Sequence, residues 1–91
     1  MQRDQLKVEH ALETKGFQRD ERHHHYFLYR TQEGKLTDIR TRTSHSGKEI
    51  DARLLSRMAQ QCQLSRKDFL ALVDCTMSQA DYESAIVDLL N

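Results

Sequence analysis

Apolar residues before the first glycine are spaced as on one face of a helix. Val8, Ala11 and Leu12 lie three or four positions apart among polar neighbours, which is the helical period. Asp4 stands where an N-cap residue is favoured, and Gly16 stands where a left-handed residue often ends a helix. The pattern predicts a first helix between Asp4 and Gly16.

The segment after Gly16 has the composition of strands. We expect a short strand from Phe17 and a second over residues 25–30, which are rich in aromatic residues. A turn at 32–35 then leads to an alternating, β-branched run at 36–43. The pattern predicts a three-stranded antiparallel sheet whose last two strands form a hairpin.

A two-residue turn at 33–34 would set the register of this hairpin. It places three pairs on one face: Leu28 with Ile39, Tyr26 with Thr41, and His24 with Thr43. It places three pairs on the other: Phe27 with Arg40, Tyr29 with Asp38, and His25 with Arg42. A longer turn would shift the register by one residue and exchange the faces.

Three further helices are expected after the polar loop at 44–48. Each begins at a capping residue: Asp51, then Ser65 with Asp68, then Ser78 with Asp81. The apolar positions of these helices are expected in the core, including Tyr82, Ala85, Ile86 and Leu89. The order predicts one α+β domain over 1–91, with an α-β-β-β-α core within 4–70 and an acidic helical extension at 71–91.

Charge is balanced overall but unevenly distributed. The chain has 14 basic and 14 acidic residues, yet from Arg19 to Lys67 eleven Lys or Arg face six Asp or Glu. From Asp68 onward there are five acids and no base. A basic centre suits contact with phosphate. With two cysteines, no apolar run long enough for a membrane span and no signal peptide, a reduced cytoplasmic protein is expected.

Three consecutive histidines precede the second strand. Neighbours on a strand point to opposite faces, so His23, His24 and His25 cannot bind one ion together. His23 and His25 could form a zinc site with His45 or Cys62, but no CxxC or HExxH spacing supports it. We therefore expect no metal or other cofactor. The run could equally be a polar strand entrance without chemistry.

An imidazole near cationic side chains suits the cleavage of RNA. Histidine exchanges protons near neutral pH, and Arg22, Arg40 and Arg42 could hold a phosphate against it. The 2′-hydroxyl of RNA supplies the nucleophile, so neither a protein nucleophile nor a metal is required. The pattern is compatible with a ribonuclease.

Four motifs, in order, carry a family resemblance. They are ALETKGF at 11–17, RHH at 22–24 followed by an alternating strand, HSGKEI at 45–50, and LSRKDFL at 64–70. From Val8 to Leu70 the chain resembles the HicA family of small toxin ribonucleases, whose fold is similar to the double-stranded-RNA-binding domain. The family's glycine and serine before its histidine are Arg22 and His23 here, and its glycine before LSRKDFL is Gln63.

The resemblance implies an mRNA-cleaving toxin neutralised by a HicB-type antitoxin that covers the active site. The family's catalytic histidine corresponds to His24, with His25 as the second candidate if the hairpin slips. His45 matches the family pattern and could assist catalysis or bond to the backbone. Lys48, close before a helix, could hold a phosphate or be solvated.

Other sequence features leave a non-catalytic reading open. Arg40 and Arg42 could contact phosphates or keep an edge strand soluble. Phe27 and Tyr29 could stack on bases, although a core position is the more frequent fate of strand aromatics. The alternative to a ribonuclease is an RNA-binding or protein-interaction module of the same fold. The acidic helix could then meet a partner or a second copy of the chain in a homodimer.

Overall fold

The computed structural model describes residues 2–20, 22, 25–43 and 48–90. The elements are, in order, β1 (Arg3–Asp4), α1 (Gln5–Thr14), β2 (Phe17–Arg19), β3 (Tyr26–Arg30), β4 (Leu36–Arg42), β5 (Glu49–Ile50), α2 (Ala52–Gln61), α3 (Arg66–Val73) and α4 (Gln79–Ile86), followed by a 3-10 turn (Val87–Leu89). The predicted α+β class and the α-β-β-β-α order are confirmed. The two-residue ladder of β1 with β5 was not predicted.

Side-chain caps start the helices where the sequence placed them. The caps are Asp4, accepting from the Lys7 backbone N–H at 3.2 Å, Asp51 from Leu54 at 2.8 Å, Ser65 from Asp68 at 3.1 Å and Ser78 from Asp81 at 3.0 Å. Asp81 also accepts from the Ser78 N–H, which completes a capping box. After α1, Gly16 has φ +97°, the left-handed conformation that favours glycine. All four predicted caps are confirmed.

The predicted register of the hairpin is wrong by one residue. Tyr26 pairs with Arg42, Leu28 with Arg40 and Phe27 with Thr41 in the antiparallel β2-β3-β4 sheet. Cross-strand partners share a face. Thr41 therefore lies on the buried face with Phe27, whereas the two arginines lie on the outer face.

The cause of the shift is a longer connection than the two-residue turn. Arg30 pairs with Leu36, and the Thr31 N–H donates to the Lys35 carbonyl at 2.8 Å, so the loop contains five residues, 31–35. A bulge follows, because residues 37–39 of β4 face only Tyr29 of β3. The Thr37 hydroxyl donates to the Tyr29 carbonyl at 2.9 Å within this bulge.

The helices cover one face of the sheet and form the core with it. Phe17, Tyr29 and Tyr82 form an aromatic cluster with ring centroids 4.9 to 5.5 Å apart. Phe27 and Tyr29 are fully buried, which confirms a core position for both.

The acidic helix α4 contributes Tyr82 and Ile86 to this core. The Tyr82 hydroxyl donates to the Cys62 carbonyl at 2.9 Å. Ala85 and Leu89 are exposed, against expectation. Leu89 lies beyond the end of α4, in the 3-10 turn, whereas Ala85 lies in α4 but outside the side formed by the buried Tyr82 and Ile86. Across the described ranges, no helix has both the length and the apolar character needed to cross a membrane.

Candidate functional site

Several chain segments meet at the end of the sheet where β3 begins. The Thr43 N–H donates to the His25 carbonyl at 2.8 Å, and the Asp20 N–H donates to the Tyr26 carbonyl at 2.9 Å. The residue after β4 is thereby held beside the residue before β3. His24 and His45, two of the predicted site residues, lie outside the described residues.

A buried carboxylate lies beneath this end of the sheet. Glu9 projects from α1, and its side chain is only 5% exposed. Its Oε2 accepts from the Thr43 hydroxyl at 2.6 Å, lies 3.3 Å from Nδ1 of His25, and accepts from Nε2 of Gln5 at 3.3 Å. Its Oε1 lies 3.3 Å from Nη2 of Arg19. Both oxygens of Glu9 therefore have hydrogen-bond partners.

The partners of Glu9 decide its charge. Burial by itself would raise the pKa of Glu9, but hydrogen bonds from Thr43 and His25 and the charge of Arg19 outweigh it. The net effect is a pKa below the ordinary value for glutamate. Glu9 is consequently a carboxylate at neutral pH and can only accept hydrogen bonds.

His25 combines this anchoring with access to solvent. Its side chain is 24% exposed, and Nδ1 lies 3.2 Å from the Thr43 hydroxyl as well as 3.3 Å from Glu9. The ring is thus held at Nδ1, and part of the side chain reaches the surface. An imidazole in this arrangement can take up or release a proton.

The predicted arginines are not all close to this imidazole. Arg40 and Arg42 are exposed on the outer face of the sheet, on the side opposite the buried Glu9. The guanidinium of Arg42 lies 5.9 Å from the centre of the Tyr26 ring and donates to its hydroxyl at 3.2 Å. The predicted pairing of His25 with Arg42 is wrong, because Tyr26 faces Arg42 instead.

Arg22 and Lys48 are the remaining predicted contacts. Arg22 is exposed, and its backbone N–H donates to the Asp20 carboxylate at 2.7 Å. Lys48 is also exposed, and its carbonyl accepts from the Gln5 N–H at 3.0 Å, at the start of α1. Lys48 is therefore held at the beginning of the helix that carries Glu9.

Sequence reasoning missed Glu9, Arg19 and Thr43. A signal for Glu9 was present, because Gln5 and Glu9 share the helical face of Val8 and Leu12. Two polar residues at positions i and i+4 on a buried face require partners from elsewhere in the fold. Those partners come from β2 and from the residues that flank β3 and β4, which the helix pattern does not reveal.

No metal cluster is formed by the residues that the structure describes. Within them, no three His, Cys, Asp or Glu side chains come close enough to hold an ion. Cys62 lies in the core, where burial raises the pKa of its thiol to about 12 despite a hydrogen bond with Thr41. A thiol in that state is a poor metal ligand, since metals bind the thiolate.

Comparison with known proteins does not assign the chain to a family. No family model matches the sequence, and neither a curated protein nor a solved structure matches it. The resemblance to the HicA toxins therefore stays a prediction, carried by the four motifs and their order. The geometry around His25 provides a second, independent basis for a functional proposal.

Proposed function

We propose that this protein is a HicA-like toxin ribonuclease that cleaves mRNA by metal-independent histidine chemistry. One observation carries the proposal. The solvent-reaching ring of His25 is anchored by a buried, ionised carboxylate at the end of the hairpin, directly after His24 in the chain. Anchored imidazoles of this kind are the usual general acids and bases of enzymes.

The reaction needs only proton transfer and the substrate itself. A histidine takes the proton of a ribose 2′-hydroxyl, and the 2′-oxygen forms a bond to the adjacent phosphorus. The bond from phosphorus to the 5′-oxygen breaks, and that oxygen takes up a proton. The products are a 2′,3′-cyclic phosphate and a 5′-hydroxyl end. DNA lacks the 2′-hydroxyl and would not react.

The outer face of the sheet offers a surface for the RNA chain. Arg40 and Arg42 are exposed there, and Tyr26 is half-buried beneath the Arg42 guanidinium. Arginine binds phosphate, and an aromatic ring can stack on a base. Arg22 and Lys48 are exposed on the segments next to His25 and Thr43. Such contacts would bind the backbone with little readout of sequence.

A toxin of this type requires a partner that restrains it. The resemblance points to a HicB-like antitoxin that covers the active site, and a cytoplasmic location follows from a substrate in translation. The two cysteines are unpaired, which suits a reducing compartment.

Induced expression tests this proposal. The wild-type chain should arrest growth and degrade message, and His24→Ala and His25→Ala should each reduce both effects while leaving the protein folded. His10→Ala is the matched control. His10 is an exposed histidine on α1, and it lines a groove beside α3 that does not include His25. Unchanged toxicity in both site variants would reject histidine catalysis.

The rival is a non-catalytic RNA-binding or protein-interaction module. The contact of Arg42 with the Tyr26 ring favours it, because that surface could bind RNA without any imidazole. In this case the wild-type chain would bind RNA and leave it intact. Arg40→Ala and Arg42→Ala would weaken binding in either case, and Arg57→Ala, an exposed arginine on α2, serves as the charge-matched control.

A further inference from the structure

We propose that Glu9 fixes the tautomer of His25, so that Nε2 of His25 is the general base of the reaction. The tautomer is argued from the geometry around Nδ1 and from the ionised state of Glu9, whereas its catalytic use rests on the proposed function. It differs from the family resemblance, which gives the catalytic role to His24.

The hydrogen positions follow from the atoms around Nδ1. Glu9 is ionised and has no hydrogen to donate, so the hydrogen bond of 2.6 Å between it and Thr43 uses the hydroxyl hydrogen of Thr43. The Thr43 oxygen then faces Nδ1 of His25 with its lone pairs, at 3.2 Å. Glu9 Oε2 faces the same nitrogen at 3.3 Å.

The Thr43 hydroxyl and the Glu9 carboxylate are therefore both acceptors toward Nδ1. If Nδ1 of the neutral ring carried a lone pair, it would face the negative charge of the carboxylate. The neutral ring therefore carries its hydrogen on Nδ1, and Nε2 keeps the lone pair that can accept a proton. Neutral imidazole in water favours the opposite form, so the protein must impose this one.

Charged groups from two elements, α1 and β2, contribute to this arrangement. Glu9 comes from α1, His25 precedes β3, and Arg19 comes from β2. Arg19 contacts Oε1 of Glu9 at 3.3 Å and the exposed Glu13 at 3.2 Å. The positive charge of Arg19 helps to keep the buried Glu9 ionised, which is the condition for the tautomer.

Glu9 and Thr43 are thus positioning residues, because they act through His25. In the reaction, Nε2 of His25 takes the 2′-proton while the 2′-oxygen bonds to phosphorus and the bond to the 5′-oxygen breaks. The 5′-oxygen must gain a proton from a general acid, and we assign that role to His24.

Nitrogen-15 NMR of histidine-labelled full-length protein tests the tautomer directly, provided that the spectrum is recorded at a pH where the ring is neutral. We expect a protonated-type shift for Nδ1 of His25 and an unprotonated-type shift for Nε2. In Glu9→Gln the amide can accept or donate, so we expect a mixture containing the Nε2–H form. A wild-type spectrum with hydrogen on Nε2 would overturn the proposal.

Cleavage kinetics test the use of that tautomer. His25→Ala should lower kcat by at least about 10²-fold, the usual contribution of a general base. Glu9→Gln should lower kcat by between about tenfold and 10⁴-fold, the upper value being that of the corresponding change in a Ser-His-Asp triad. KM should change little, because Glu9 does not touch the RNA. Glu13→Gln removes the other carboxylate on Arg19 and should retain the wild-type rate.

The outcomes separate this inference from the proposed function. If the wild-type protein cleaves RNA and Glu9→Gln and His25→Ala cleave equally fast, the inference is wrong and His24 carries the reaction alone. If the wild-type protein does not cleave RNA, the ribonuclease proposal and the catalytic role of His25 both fail, while the NMR shifts still decide the tautomer. Urea unfolding of each variant shows that a lost rate is not a lost fold.

Discussion

Replacing Tyr82 tests whether the acidic C-terminal helix is an integral part of the fold. The side chain is fully buried in α4, its ring lies 4.9 Å from that of Tyr29 and 5.5 Å from that of Phe17, and its hydroxyl donates to the Cys62 carbonyl. Tyr82→Ala would open a cavity between the helix and the sheet. Tyr82→Phe would remove only the hydrogen bond.

The expected losses follow from this burial. Truncating a buried aromatic residue costs about 3–5 kcal/mol, and the hydrogen bond adds about 1 kcal/mol. A domain of 91 residues is stabilised by roughly 5–14 kcal/mol in total. Tyr82→Ala would therefore remove a large part of the stability, and Tyr82→Phe only about 1 kcal/mol.

Urea unfolding followed by circular dichroism measures both variants. With an m-value of roughly 1.5 kcal/mol/M, Tyr82→Ala should lower the midpoint by about 3 M and Tyr82→Phe by about 0.7 M. Ser84→Ala, at an exposed position of the same helix, should stay within about 0.5 kcal/mol of wild type. A Tyr82→Ala protein that unfolds at the wild-type midpoint would show that α4 is a dispensable appendage.

Three further predictions concern charge, thiols and caps. The partners of Glu9 lower its pKa from the ordinary 4.5 despite its burial. Glu9 therefore stabilises the fold above about that pH, and this contribution is lost as the pH falls through the folded-state pKa. The urea midpoint of Glu9→Gln should fall less between pH 6 and pH 3 than the midpoint of wild type, and an equal fall would contradict the assignment. A thiol reagent should modify the exposed Cys75 in the native protein and the buried Cys62 only on unfolding. Rapid modification of both thiols in the native protein would contradict the core position of Cys62. Ser78→Ala should cost about 1 kcal/mol through the lost capping box, against little change for Ser84→Ala, and equal midpoints for the two would refute the cap.

Local signals in the sequence were sufficient for the starts of the helices. Asp51, Ser65 and Ser78 each lie immediately before an apolar helical pattern, and each accepts the expected backbone hydrogen bond. Caps are determined by residues within one turn of the chain, so a single sequence contains the information. The α+β class followed from the order of these local elements.

The hairpin register could not be obtained in the same way. It depends on how Thr31 and Lys35 close the loop and on the bulge at residues 37–39. A change of one residue in the loop exchanges the two faces of β4, whereas the bulge adds two residues and changes the pairing partners without exchanging the faces. The sequence offers Gly34 as a turn residue, but it does not specify whether the turn contains two residues or five.

The chemistry of the candidate site was only half visible for a related reason. The histidine run identifies His25 as a candidate, but the carboxylate that orients it lies sixteen positions earlier in α1. Thr43 is eighteen positions later. Contacts between residues so far apart in the chain depend on the packing of α1 against the sheet. In the sequence alone, Glu9 therefore looks like an ordinary polar residue of a helix.

The fragments produced from a defined RNA test the central claim most directly. Protein dialysed against EDTA is incubated with a single-stranded RNA, and the new ends are identified by mass spectrometry. Histidine-based cleavage predicts 2′,3′-cyclic phosphate and 5′-hydroxyl ends, formed by wild type and lost in His25→Ala. Intact RNA, or fragments with 3′-hydroxyl ends, would contradict it.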